Sequence, residues 1–372
     1  MDAWLGLIAG LVLVVAGADA LVRGAARAAA SLGVPPLLVG LTVVAYGTSA
    51  PELAVSLSAG AGSRPELALA NVVGSNVFNV LAILGLAALF APLAASTSVV
   101  RREIPLMLLV TIGAMVLGAD GVLARGDGLL LLAGLAALTA GQVVAARRAM
   151  RGAADARRGR DGDRPPVDPG RARGGRAGDT RRREAFLRDA LFVAAGLTGL
   201  VIGAGWLVDA AVAIALDLGV SEVVIGLTIV AAGTSLPELA TSVVAALRGE
   251  RDLAIGNVVG SNVFNLVGIL GLASLTAPSG LPVAPQVLGL DAWVALGAAA
   301  LLLPLARSGG ALVRWEGAVL FLAYAGYLVA VVAIAVGRME VPPVGVGLAI
   351  AGLPLLAAAG ATLRRPRGAR RR

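Results

Sequence analysis

Two glutamates set the problem. Glu52 and Glu238 each lie inside a long apolar stretch, in the hexapeptides GTSAPE (47–52) and GTSLPE (233–238). An ionisable residue at membrane depth is costly and by default functional. Each follows a threonine by four positions, Thr48 and Thr234, a spacing that puts both side chains on one helix face. Each also follows a proline, Pro51 and Pro237, which removes a backbone donor and clashes with the carbonyl four residues back. The carbonyls of Ala45 and Ala231 are therefore expected to turn toward a cavity, because broken backbone in a membrane must be satisfied by protein or trapped water. Carboxylate, hydroxyl and carbonyl are all hard oxygen donors, suited to Ca²⁺ or Na⁺. The competing reading is a kink whose glutamate pairs with an arginine, but neither motif carries an arginine near that depth.

A second motif comes after each glutamate. NVVGSNVFN occurs at 71–79 and again at 257–265. Asn71, Ser75 and Asn79, spaced by four, form a polar stripe on an apolar helix, and Asn257, Ser261 and Asn265 repeat it. Ser75, Asn79, Ser261 and Asn265 are read as further ligands. For Asn71 and Asn257, ligation and helix packing remain equal alternatives, since amides and small residues also join membrane helices.

These motifs belong to one internal repeat. Residues 40–89 align without a gap on 226–275, with about 31 of 50 positions identical. The same register aligns GADALVRGA (17–25) with GAGWLVDAA (203–211). A shared period of this kind marks a duplicated structural unit.

Composition supplies the setting. The chain has 372 residues, 58% of them hydrophobic, and a mean hydropathy of +0.87. Apolar runs of about 20 residues recur along it, as in spanning helices. With no Cys and no His, disulfides, thiolate metal sites and imidazole acid–base chemistry are excluded, so any cation must be held by oxygen. The net charge of +8 comes from arginines clustered at helix ends and in one loop, which reads as a topology signal rather than a nucleic-acid surface. No cofactor, no nucleic acid and no protein partner are implied; the partners are the lipid bilayer and transported cations. The start, Met1-Asp2-Ala3-Trp4, lacks a basic leader and is read as a short tail before the first span.

The expected fold is an all-α polytopic membrane protein. Eleven spans are predicted, at 3–22, 35–60, 66–91, 103–119, 128–146, 187–212, 222–247, 253–277, 287–306, 314–336 and 342–363. The segment 147–186, rich in Arg, Gly, Asp and Pro, is predicted to be a solvated, disordered cytoplasmic linker. Arg23, Arg27, Arg101, Arg102, Arg248, Arg251, Arg307, Arg314, the linker and the tail RRPRGARRR then fall on one side of the membrane. The positive-inside rule puts that side in the cytoplasm, the N-terminus outside and the C-terminus inside. Four domains result: a first five-helix repeat over 1–146, the linker 147–186, a second repeat over 187–336, and an extra helix with basic tail over 337–372. Five is odd, so the repeats are inverted, and such repeats place a site near the midplane where they meet. Asp19 and Arg23 are expected to pair along a helix end, Asp209 is read as structural, and Trp4, Trp293 and Trp315 as interfacial.

The paired G-T-S-x-P-E and G-S-N-x-F-N motifs resemble the Ca²⁺:cation antiporter family, of the sodium/calcium exchanger type, over roughly helices 1–10. The resemblance implies a ten-helix inverted-repeat core and a transporter rather than an enzyme. It implies a Ca²⁺ site at Glu52, Glu238, Thr48 and Thr234. It implies neighbouring Na⁺ sites at Ser49, Ser235, Ser75, Ser261, the carbonyls of Ala45 and Ala231, and Asn79. It also implies that helices 1 and 6 slide past this core to alternate access. Asn265 stands where some members carry an aspartate, leaving two carboxylates at the centre, enough for one Ca²⁺ or two Na⁺. The expected function is exchange of Ca²⁺ for Na⁺ across the plasma membrane at one shared site. Alternatives are a Ca²⁺/H⁺ antiporter on the same glutamates, a passive cation channel, and an enzyme using the glutamates as acid and base.

Overall fold

The computed structural model describes residues 3–62, 64–162, 175–220, 222–308 and 310–342. The predicted eleventh span, 342–363, and the basic tail lie outside the described residues apart from Pro342.

Ten rods succeed one another. They are α1 (Ala3–Leu32), the bent α2 (Pro36–Thr48 and Ala50–Ala61), and α3 (Glu66–Phe90). Next come α4 (Val99–Glu103 continuing into Ile104–Leu117), α5 (Arg125–Gly162) and α6 (Gly175–Asp217). Then come α7 (Glu222–Ile225, Gly226–Val230 and Ala231–Gly233, broken before Leu236–Leu247) and α8 (Arg251–Thr276). The described chain closes with α9 (Val287–Asp291 continuing into Ala292–Ser308) and α10 (Arg314–Ala335). Seven of these are long and apolar enough to cross a membrane, or eight with the two halves of α2 taken as one span.

The repeats are inverted. Equivalent helices α1 and α6 pack antiparallel: a Cβ on Gly10 would meet Gly203, one on Gly17 would meet Gly196 and Leu200, and one on Gly24 would meet Asp189. Glycine lets the two backbones touch, the small-residue packing favoured between membrane helices. Two short antiparallel ribbons link the halves. β1 (Leu93–Ala94) pairs with β4 (Ala311–Leu312) and β2 (Val122–Leu123) with β3 (Leu281–Pro282).

Helices α3 and α8 form the centre, with 83% and 89% of their apolar windows buried against 6% for α5 and 11% for α10. That order has its cause in the sequence. NVVGSNVFN offers small and amide residues on several faces, whereas α5 and α10 are apolar all round and suit hydrocarbon. Five-residue π-helical turns recur at matched places in the two repeats, Gly40–Val44 with Gly226–Val230 and Val99–Glu103 with Val287–Asp291. Such bulges concentrate at functional sites.

Within 147–186, expected to be a disordered linker, the described residues 147–162 and 175–186 are helical. Helix α5 continues to Gly162 and α6 starts at Gly175. The run AARRAMRGAADARR (145–158) is dense in alanine and arginine, both strong helix formers. A helix that is already nucleated in the membrane extends through such residues without needing a core.

Candidate functional site

The break in α2 falls at Ser49, the break in α7 at Thr234-Ser235. The halves of α2 meet at 48°. Ser49 and Ser235 cap the second half-helices with φ,ψ of −79°, 13° and −91°, 11°. Pro51 and Pro237 thus occupy the first turn of a new helix, where a missing N–H costs nothing. This puts Glu52 and Glu238 in the first turn of those helices as well, where the positive end of the helix dipole favours a carboxylate.

The glutamates are held across the two-fold relation. Ser49 Oγ donates to Glu238 Oε1 at 2.7 Å and Ser235 Oγ donates to Glu52 Oε1 at 2.6 Å. Each repeat therefore orients the other's carboxylate. Both glutamates are fully buried, and no arginine pairs with either among the described residues. Their second oxygens, Glu52 Oε2 and Glu238 Oε2, have no partner, and neither do Ser75 Oγ, Asn79 Oδ1 and Asn265 Oδ1. A buried oxygen without a donor costs about 1–3 kcal/mol. Five such oxygens lie in the two motifs that both halves repeat. Among the described residues no group of three or more His, Cys, Asp or Glu forms, so the negative charge of the site is the two glutamates alone.

The amide residues frame this pair. Asn71 Nδ2 donates to the Glu52 carbonyl at 3.4 Å and to Ser56 Oγ at 3.0 Å; Asn257 Nδ2 does the same to the Glu238 carbonyl at 3.3 Å and Ser242 Oγ at 3.0 Å. Of the two alternatives for Asn71 and Asn257, their amide nitrogens therefore brace the glutamate helices, though Asn257 Oδ1 also accepts from Thr48 Oγ1 at 3.1 Å. Asn79 Nδ2 donates to Asn262 Oδ1 at 2.9 Å and Asn265 Nδ2 to Asn76 Oδ1 at 3.0 Å. These bonds leave the carbonyl oxygens of Asn79 and Asn265 free.

Asn76 and Asn262 escaped the sequence reading. Each donates to the other's backbone carbonyl, at 3.1 and 3.3 Å, so equivalent residues meet on the axis between repeats. Counting in fours from Asn71 passes them over. Their duplication, three residues before Asn79 and Asn265, was the available signal. Ser56 and Ser242 were missed for want of any motif.

The carbonyl expectation needs correction at one residue. The Ser49 amide still reaches the Ala45 carbonyl at 3.1 Å, so the ladder stays closed there and Thr48 and Ser261 hydroxyls add to the same oxygen at 3.2 and 3.4 Å. In the second repeat the Ser235 amide turns to Ala232 at 3.2 Å, leaving Ala231 to accept from the Thr234 hydroxyl at 3.4 Å. The helix end tightens in one half and not in the other.

This belongs to a wider asymmetry. Val44, Ala45 and Thr48 are all 0% exposed. Their equivalents Val230, Ala231 and Thr234 are not buried, and Val230 is 43% exposed. The first half of α2 lies directly on α8, where a Cβ on Gly260 would stand 2.7 Å from Leu41 Cα and 2.8 Å from Ala45 Cβ. At Gly74, the equivalent residue of α3, a Cβ would meet nothing within 4 Å. The first half of α7 thus lies less closely on α3 than its twin in α2 lies on α8.

Asp19 pairs with Arg23 at 2.8 Å, as expected, and also with Arg248 at the end of α7. Arg27 reaches buried Asp189 at 2.9 Å. Asp209 is exposed, and Trp4 and Trp315 are exposed near helix ends.

The sequence pattern of the family described as "Sodium/calcium exchanger protein" matches residues 2–144 and 189–333. The putative antiporter CaxA of Alkalimonas amylolytica is 37% identical over 324 residues, 86% of this chain and 96% of that protein. The sodium/calcium exchanger MaX1 of Methanosarcina acetivorans is 34% identical over 339 residues, 87% of this chain and 96% of that protein. The solved sodium-calcium exchanger NCX_Mj, soaked with 10 mM Na⁺ and zero Ca²⁺, superposes with a TM-score of 0.70 at 30% identity, covering 89% of this chain and 98% of that one.

Proposed function

The chain belongs to the sodium/calcium exchanger family and is a membrane-embedded cation antiporter, and from that premise we propose that it exchanges Ca²⁺ for Na⁺ at one site between Glu52 and Glu238. One observation carries the reading. Two fully buried carboxylates, each fixed by a serine of the other repeat, each keep an unpartnered oxygen, with no arginine paired to them among the described residues. Two negative charges balance one Ca²⁺ or two Na⁺. Glu52, Glu238, Thr48 and Thr234 hold Ca²⁺. Ser49, Ser235, Ser75, Ser261, Asn79, Asn265 and the carbonyl of Ala231 extend the oxygen shell over which Na⁺ spreads.

Coupling has an electrostatic origin. Ca²⁺ and Na⁺ need the same two carboxylates, so one displaces the other. Emptying the site strands two buried charges at several kcal/mol each, so the unloaded protein resists switching sides and neither ion leaks alone. The switch is supported by the packing asymmetry: one state has α2 seated closely on α8 and α7 more loosely on α3, and the inverted repeat supplies the mirror arrangement. The glycine-lined pair α1–α6 moves as a unit past this core. The arginine-rich ends of α1, α7 and α9 face the cytoplasm of a plasma membrane, with the N-terminus outside. The clear side at α7 then faces outward.

The test is ⁴⁵Ca²⁺ uptake into proteoliposomes preloaded with Na⁺, against choline-loaded controls and an imposed pH gradient. Uptake that requires internal Na⁺ is expected. Uptake indifferent to Na⁺ but driven by the pH gradient would replace Na⁺ by H⁺ as the coupling ion, and flux without any counter-ion would make the protein a channel.

A further inference from the structure

The two repeats part company at one cluster beside the ion site. Tyr46, in the first half of α2, stacks on Phe264 of α8, with ring centroids 4.3 Å apart and planes inclined by 22°. The Tyr46 and Thr139 hydroxyls share a hydrogen bond at 3.2 Å, which carries the contact on to the lipid-facing α5. The Phe264 ring has room there because residue 268 is a glycine: a Cβ on Gly268 would stand 2.8 Å from two atoms of that ring. Asn265, the next residue, opens the π-helical turn Asn265–Ile269 and keeps its carbonyl oxygen unpartnered. One point therefore ties a half-helix of α2 to α8 and to α5, one residue away from the oxygen shell.

The second repeat keeps the phenylalanine and none of the rest. Phe78 is the equivalent of Phe264, but Ala232 stands for Tyr46 and Ala82 for Gly268. Gly128 of α5 and Gly317 of α10 pack alike, on Gly271 and Gly85, so the two helices align on these glycines. Thr139 and Leu328, each 11 residues further on, are then counterparts. Phe78 instead takes an edge contact from Tyr324 of α10, with centroids 5.1 Å apart and planes at 71°. Phe264 is thus held by a half-helix, and Phe78 by the peripheral α10. The Tyr46 contacts part whenever α2 leaves α8, whereas the Phe78–Tyr324 contact involves neither broken helix.

We propose that Tyr46 is a positioning residue of the exchange cycle, a latch that holds the first half of α2 on α8 and α5. In the mirror state α7 brings Ala232 to α3 and has no latch of its own. The inference rests on the two-state exchange proposed above and adds a built-in bias to it. A stacked aromatic pair is worth a factor of about 2 to 10 in an equilibrium beyond the area that it buries, so the latch weights the observed state over its mirror by about that factor.

The experiment uses the full, cysteine-free chain reconstituted in vesicles with one reporter at a time, Ala45→Cys, buried here, or Ala231→Cys, exposed here. Labelling by a membrane-permeant maleimide is followed by mass. Tyr46→Ala is expected to speed labelling of the Ala45 reporter by about 2- to 10-fold. It should leave the Ala231 reporter unchanged or slower, because the mirror state buries that position. Tyr46→Phe keeps the ring and loses the hydroxyl, and should fall between the parent and Tyr46→Ala. Tyr324→Ala takes a ring from the twin phenylalanine and should leave the Ala45 reporter at the parent rate. Faster labelling of both reporters in Tyr46→Ala would mean general loosening instead of a latch. An Ala45 reporter that is unchanged in Tyr46→Ala, or sped equally by Tyr324→Ala, would mean that the Tyr46 ring holds nothing in particular. Each of these results overturns the proposal. Labelling needs no ion gradient, so it stands apart from the ⁴⁵Ca²⁺ assay: absence of exchange with the labelling shift intact would overturn the exchange reading and keep the latch.

Discussion

Consider alanine in place of two equivalent glycines, Gly260 and Gly74. In the structure a Cβ on Gly260 would lie 2.7 Å from Leu41 Cα, 2.8 Å from the Leu41 carbonyl oxygen and 2.8 Å from Ala45 Cβ. Two of these three atoms are backbone, so the first half of α2 must move away from α8. Overpacking of this kind costs about 1–3 kcal/mol. A Cβ on Gly74 meets nothing within 4 Å and costs this state nothing. In the proposed mirror state the roles exchange, with α7 seated on α3. The helix-propensity gain of Gly to Ala, about 1 kcal/mol, acts on both states and cancels. Gly260→Ala should therefore shift the balance away from the observed arrangement by about 5- to 150-fold, and Gly74→Ala toward it by a similar factor. The assay is thiol labelling of Ala231→Cys in this otherwise cysteine-free chain. Ala231 is exposed here whereas its twin Ala45 is fully buried. With a membrane-impermeant reagent added outside, Gly260→Ala should slow labelling and Gly74→Ala should maintain or speed it. Labelling that changes in the same direction for both, or for neither, would refute a switch built on these two contacts.

The same geometry sets further expectations. Glu52→Gln and Glu238→Gln keep an oxygen to accept from Ser235 or Ser49 but remove the charge, so both should fold and both should lose exchange; substantial ⁴⁵Ca²⁺ flux in either purified variant contradicts the site. Ca²⁺ at a hundredfold its dissociation constant should stabilise the parent by about 2.7 kcal/mol, read as a raised melting temperature in detergent, and neither glutamine variant should respond. Asn76→Leu removes the donor to the Asn262 carbonyl and the acceptor for Asn265. It should destabilise by about 0.6 kcal/mol for each membrane-buried bond lost, with Asn262→Leu doing the same; a melting temperature unchanged in both would mean that the axis contact is dispensable.

Much of this protein was legible in its sequence. The duplication fixed the two-fold design, and five helices per unit fixed its inversion. GTSxPE announced a broken helix because proline acts on its own backbone, whatever surrounds it. The absence of Cys and His limited any cation chemistry to oxygen. These are local or compositional effects, readable without neighbours. The helical continuation through 147–162 follows the helix propensity of alanine and arginine, which low hydrophobicity masks in the sequence.

Tertiary structure decided the rest. That Ser49 serves Glu238 and Ser235 serves Glu52 depends on how two half-helices cross, and 189 or 183 residues separate the partners. That Asn76 meets Asn262 depends on where the two-fold axis passes. That Ala45 stays in its ladder while Ala231 leaves it, and that α2 is seated closely while α7 packs loosely, could not come from the repeat at all. Nearly identical sequences obey identical local rules, which predict two equal halves. Only packing makes them unequal, burying Ala45 and exposing Ala231, and the proposed alternation of access draws on that inequality.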